Sequence, residues 1–122
     1  MKLFRSLAVS ILLLVGHAAP AHSEASAVNA IIQRMQINKN LGNMVFIQLA
    51  TPPVDRGSCT GSPPNPSWHF LLLLDDETGA GKSMYAQLLV AFAAGQPVDL
   101  GGTGLCPWGT VEELKGVALR AN

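Results

Sequence analysis

The chain has 122 residues, 48% of them hydrophobic, with 8 basic and 8 acidic side chains. That length supports one core and one domain, and the absence of any basic run argues against nucleic acid as a partner. Cysteine occurs 2 times and histidine 3 times, a poor supply for a zinc site built from several His, Cys or carboxylate ligands.

The first residues, MKLFRSLAVSILLLVGHAAPAHS, have the pattern of an export signal. Lys2 and Arg5 supply a positive start. Leu7 to Val15 form an apolar core that falls short of the about 20 residues a membrane span needs. Small residues around Ala19, Ala21 and Ser23 offer cleavage positions. Cleavage after Ser23 is the expected one, and Ala21 is the alternative. Residues 1–23 then form a signal peptide and 24–122 a single mature domain. The mature chain keeps 6 basic and 8 acidic residues, a net of −2, and His69 as its one histidine. No cysteine directly follows the cleavage position, so a lipid anchor is not expected.

Along the mature chain, Ala30 to Ile37 alternates, with Ile31, Met35 and Ile37 on one face and Ile32, Arg34 and Gln36 on the other. This predicts a half-exposed strand; a helix over residues 25–36 is the competing reading, since Ala and Gln favour helix. Asn and Gly in NKNLGN supply a turn. Met44 to Ala50 predicts a second strand with Val45, Ile47 and Leu49 on one side, ended by Pro52 and Pro53, because proline has no N–H for a ladder. A Pro/Gly/Ser-rich loop, Thr51 to Ser67, holds Cys59. Trp68 to Leu74 predicts a third strand, apolar on both faces and so expected to be covered on both. From Lys82 the period changes, and Tyr85, Leu88, Leu89 and Phe92 mark one helical face. Gly95 and Pro97 stop that helix. Pro97 to Leu100 and Leu114 to Arg120 predict two short strands, the second with Leu114 and Leu119 inward, joined by the loop GGTGLCPWGT.

The order β-β-β-α-β-β predicts a mainly β, five-stranded OB-fold-like barrel with one helix. Such a barrel brings the loops of Cys59 and Cys106 together. Export and an even cysteine count then predict one disulfide between them. Closing a loop of about 48 residues is worth roughly 4 kcal/mol in the chain-entropy model.

The string WHFLLLLDDETGAGKSMYAQLLVAFAAGQPVDLGGTGLC, Trp68 to Cys106, resembles a group of small exported bacterial proteins related to the B subunit of subtilase cytotoxin. Its aromatic strand ending near Asp, its helix carrying Leu-Leu and Ala, and its Gly-rich approach to cysteine carry the resemblance, which extends from about Ala30 onward. The resemblance implies an OB-fold and a non-catalytic role, which in the toxin subunit is glycan binding within a pentamer. The toxin's sugar-contacting residues find no match here, and none is carried over.

Four features touch on chemistry. In DETGAGKS, Gly81-Lys82-Ser83 has the look of a phosphate-binding loop, but the motif needs glycine where Asp76 stands. Neither a nucleotide nor another cofactor is therefore expected, and Lys82 reads as a solvated residue at a helix start. His69 could serve as a general base only with a partner nucleophile and an orienting acid, and no such pattern frames it; a structural histidine is the simpler reading. The two cysteines lack Cys-x-x-Cys spacing, which argues against redox chemistry. Trp108, in the loop between the last two strands, could stack on a sugar or a protein partner, or else pack beside the disulfide. Trp68 is expected in the core.

The resulting expectation is an exported, periplasmic or secreted, non-catalytic binding module for a glycan or a protein surface. A structural envelope protein without a separable ligand is the alternative, and a small hydrolase using His69 a third. Leu71 and Leu73, on the second face of their strand, call for a cover from the Thr51–Ser67 loop or from a second subunit, so a homo-oligomer is also expected.

Overall fold

The computed structural model describes residues 24–53, 55–57, 59 and 67–121. The expected leader, 1–23, and much of the expected loop before Ser67 lie outside the described residues. The chain enters as strand β1 (Ser26–Ala30), passes through Ile31 and continues as β2 (Ile32–Ile37). A 3-10 turn (Lys39–Leu41) leads to β3 (Met44–Leu49) and then β4 (Phe70–Leu73). Helix α1 (Ala80–Ala94) follows, and β5 (Val98–Gly102) and β6 (Glu112–Leu119) complete the fold.

The strands form one sheet of 6 in the order β1-β5-β6-β4-β3-β2. Neighbours run antiparallel except β4 and β6, which are parallel. The two outer strands, β1 and β2, are separated in the chain by Ile31 alone. The sheet therefore curls toward itself into a half-barrel. There are 6 strands rather than the five expected from the sequence, because the first is longer than its alternation indicates and breaks in the middle. Asn29 adopts φ 55°, a left-handed conformation that asparagine tolerates. The Asp99 carboxylate accepts its amide at 2.8 Å. The register against β5 shifts between Ala27 and Ala30. The helix considered for 25–36 does not form.

A second register shift, between Ile32 and Arg34, resets the alternation that the sequence shows. An extra residue in a strand turns two non-alternating side chains to the same face. Ile32 is therefore buried and Met35 packs against the same core, while Ile31 and Ile37, which the alternation puts on one face with Met35, are exposed.

The main core lies inside the curl. Ile32, Val45, Ile47, Leu49, Phe70, Leu72, Val98, Leu100 and Leu114 line it, and Leu88 and Ala91 of α1 close it. The helix is rotated from its expected setting. Leu89 and Phe92 are 42% and 44% exposed, and the inward line runs through Gly81, Leu88 and Ala91. Gly81 sets that rotation. A Cβ there would stand 2.0 Å from the Leu73 carbonyl oxygen, so the helix start rests directly on the end of β4. Gly95, at φ 62°, ends the helix as expected. β6 begins two residues earlier than the sequence suggests. Its register against β5 shifts between Gly101 and Gly102, and Leu119, expected inward, is exposed.

A smaller cluster occupies the outer face of the sheet. Phe46, Leu71 and Val111 are buried there, flanked by Leu41, Met44, Trp68 and Leu73. The second apolar face of β4 is thus covered from within the chain, by residues of the β2–β3 turn and the β5–β6 loop. The reason for expecting a second subunit over Leu71 falls away.

Candidate binding face

The outer cluster carries an aromatic row. Phe46 of β3 lies opposite in alternation to Val45 and Ile47, and so faces outward where they face the core. Its ring centroid is 5.8 Å from Trp68, tilted by 54°, and 6.0 Å from Trp108, edge to face at 80°. Both distances fall in the range in which aromatic pairs attract beyond their burial. The Arg34 guanidinium, on β2, stands 4.3 Å from the Trp68 ring centroid, a cation–π contact. Trp68 joins this face rather than the inner core expected for it. It lies before β4 begins, where the alternation of the strand does not yet hold.

Local chemistry places Trp108. Its carbonyl accepts the Val111 amide at 3.0 Å across a tight turn, and Gly109 between them has φ 59°, which favours glycine. Two residues upstream, Cys106 is bonded to Cys59, with the Cα atoms 5.6 Å apart. The disulfide predicted from the sequence is present. It ties the β5–β6 loop to the segment before β4, the two flanks of the aromatic row. Trp108 itself is 45% exposed. It therefore both packs on Phe46 and presents a ring to solvent.

His69 sits below this face, buried at the end of β3. Its own amide donates to the Ile47 carbonyl and its Nδ1 accepts the Leu49 amide, both at 2.9 Å. The ring takes the place of a carbonyl in the ladder, and the proton of the neutral form is on Nε2. Burial first, and the positive Arg56 second, hold its pKa below the ordinary histidine value. Nδ1 is thus committed to the backbone, away from the solvent where a substrate would arrive.

The DETGAGKS segment is a helix cap. The Asp76 carboxylate accepts the Gly81 amide at 3.0 Å and the Thr78 hydroxyl, and Thr78 Oγ1 accepts the Ala80 amide at 3.1 Å. The hydrogen bond from Thr78, then that from Gly81, lowers the Asp76 pKa. A phosphate would have to occupy the place that this carboxylate holds at the helix N-terminus. Lys82 is exposed.

Among the described residues no group of three or more His, Cys, Asp or Glu could hold a metal ion. No described helix is long and apolar enough to cross a membrane. The larger groove, 410 Å³, lies away from the aromatic row, between β1 and the Ala50–Pro53 segment. A second, 250 Å³, lies between β2 and α1, beside Met35, Tyr85 and Phe92. Neither includes Trp108 or Arg34, and exposure of a stacking surface, rather than enclosure, distinguishes the aromatic row. Comparison with protein-family models, with curated proteins and with solved structures finds no match.

Proposed function

We propose that this chain is an exported, OB-fold binding module that takes a carbohydrate on the face formed by Arg34, Phe46, Trp68 and Trp108. The carrying observation is Trp108: a residue held in a T-shaped pair with Phe46 and still 45% exposed. Stacking an apolar sugar face on such a ring removes both from water without reordering the protein, and preorganisation of that kind lowers the cost of binding. Arg34 beside Trp68 adds a positive donor at the other end of the row.

The pairing pattern supports the OB-fold reading. Counted as one bent strand, β1 and β2 pair with β5 at one end and β3 at the other, and β4 meets β6 in parallel. The helix then falls between the third and fourth strands, as in that fold, and Trp108 lies in the loop between the last two, a usual ligand loop. The disulfide supports export. The resemblance to the subtilase cytotoxin B subunit supports a glycan over other ligands and a non-catalytic role.

A glycan array probed with the processed protein, followed by titration of tryptophan fluorescence, tests the reading. Saturable binding that Trp108→Ala abolishes, with the fold intact by circular dichroism, is the expected result. An array without binding would leave Trp108 as a loop anchor and favour a structural envelope protein.

A further inference from the structure

Glu112 opens β6 and is 1% exposed. Its carboxylate reaches across β5 to the start of β1, where Oε2 accepts the Ala25 amide at 2.7 Å. Gly102 is the space it passes through: a Cβ there would stand 1.5 Å from Oε2. Ala25 is held from its other side as well, its carbonyl accepting the Gly102 amide at 2.9 Å. The remaining oxygen, Oε1, is buried and has no hydrogen-bond partner among the described residues. A buried acceptor left unpaired is costly and calls for an explanation.

The surroundings define what would complete it. Besides Ala25, the Gly104 amide acts on the carboxylate as a hydrogen-bond donor, and the charged neighbours that act on it, Glu24 and Asp55, are both negative. Lys115, on the same strand β6, is paired with the Glu24 side chain. Burial, more than these neighbours, raises the Glu112 pKa. A buried carboxylate oxygen among negative neighbours suits a small cationic donor on the N-terminal side of Ala25.

We propose that Glu112 is the receptor for the processed N-terminus: cleavage after Ser23 creates an α-ammonium on Glu24, which pairs with Oε1. Three bonds separate the Glu24 and Ala25 nitrogens, which places them about 3 to 3.6 Å apart. One carboxylate can span both. In the unprocessed chain the Glu24 nitrogen carries one hydrogen fixed in a peptide plane; after cleavage it carries three on a freely rotating group. Removal of the leader would then lock β1, an outer strand of the curled sheet. The proposal rests on the export-signal reading and is independent of the carbohydrate face.

The full chain, expressed with its leader and recovered after processing, supplies the test. N-terminal sequencing identifies the first residue, and the pH dependence of labelling by an amine reagent gives the α-amine pKa. The expected result is Glu24 first, with an α-amine pKa at least about one unit above the ordinary 7.7–8.0, seen as roughly tenfold slower labelling at neutral pH. Glu112→Gln restores ordinary labelling. Inserting one alanine between Ser23 and Glu24 does the same by moving the ammonium one residue away, and leaves Glu112 in place. A first residue of Glu24 with an ordinary α-amine overturns the latch alone. An uncleaved chain overturns the export reading and the latch together, and a first residue of His22 overturns the latch.

Discussion

Leu49 donates its backbone N–H to the ring of His69, 2.9 Å from Nδ1. A side chain thus completes the ladder on the side of β3 where its pairing with β4 ends at Ile47. The lone pair it uses is the one that protonation would take, so the bond exists only with a neutral ring. The folded pKa is depressed. For a depressed histidine the unfolded chain binds the proton first, so stability is fully present above the unfolded pKa, about 6.5, and is lost as pH falls through the folded value.

His69→Ala accordingly leaves the buried Leu49 amide without an acceptor, at a cost of about 1–3 kcal/mol at pH 7.5. Urea unfolding at pH 7.5 and 5.5 reads both effects. Wild type loses stability on acidification over this interval, and His69→Ala loses less, because it lacks the group that titrates. Equal pH dependence in the two proteins would place the proton elsewhere.

This histidine shows where the sequence was legible and where it was not. The existence of β3 followed from the alternation over Met44–Leu49, and both the existence and the two-faced burial of β4 followed from its unbroken apolar run. The paired cysteines followed from composition and the loops that hold them. What stayed hidden depended on register. The shifts beside Ile32 and Gly102 exchange faces without leaving a mark on residue type. They concealed the exposure of Ile31, Ile37 and Leu119. Glu112 was invisible for a related reason: a buried glutamate reads as a surface residue until Gly102 is seen to make room for it. Phe46 and Trp68 were each legible as apolar, but their meeting with Trp108 across the sheet arises from tertiary structure alone.

Gly81 gives a second prediction, with a sign opposite to helix propensity. Glycine to alanine inside a helix ordinarily stabilises by up to about 1 kcal/mol. Here the added methyl meets the Leu73 carbonyl oxygen at 2.0 Å, a backbone atom that cannot rotate away. Overpacking of this kind costs about 1–3 kcal/mol. Gly81→Ala is therefore expected to lower the melting temperature, whereas Lys82→Ala, one residue on and exposed, leaves it unchanged. Calorimetry with ATP and magnesium adds the functional arm: neither wild type nor Lys82→Ala binds, since Asp76 already holds the Gly81 amide. Saturable micromolar binding lost in Lys82→Ala would reverse this account.

Cys59 and Cys106, joined by the disulfide bond, are 47 positions apart in sequence. Replacing both cysteines by serine frees the unfolded chain and is expected to cost about 2–4 kcal/mol. Chemical unfolding of the oxidised protein and of the double serine variant measures the difference. Because the bond flanks the aromatic row, the same variant should also release Trp108, with a red shift and broadening of its fluorescence. A variant of unchanged stability and emission would show that the β5–β6 loop holds itself.

Leu71 decides how the outer face is closed. It is fully buried with Phe46 and Val111 of the same chain. An aspartate there would lose that packing and place a charge in an apolar cluster without a partner. The combined cost is expected to be at least about 3 kcal/mol, a large part of the net stability of a domain this size. Unfolding of Leu71→Asp should be independent of protein concentration, since the cover comes from within the chain. Light scattering after size exclusion, run beside the urea titration, separates the two sources of cover. A variant that only dissociates an oligomer, with the monomer's unfolding midpoint preserved, would return Leu71 to a subunit interface and require the β5–β6 loop to sit elsewhere in solution.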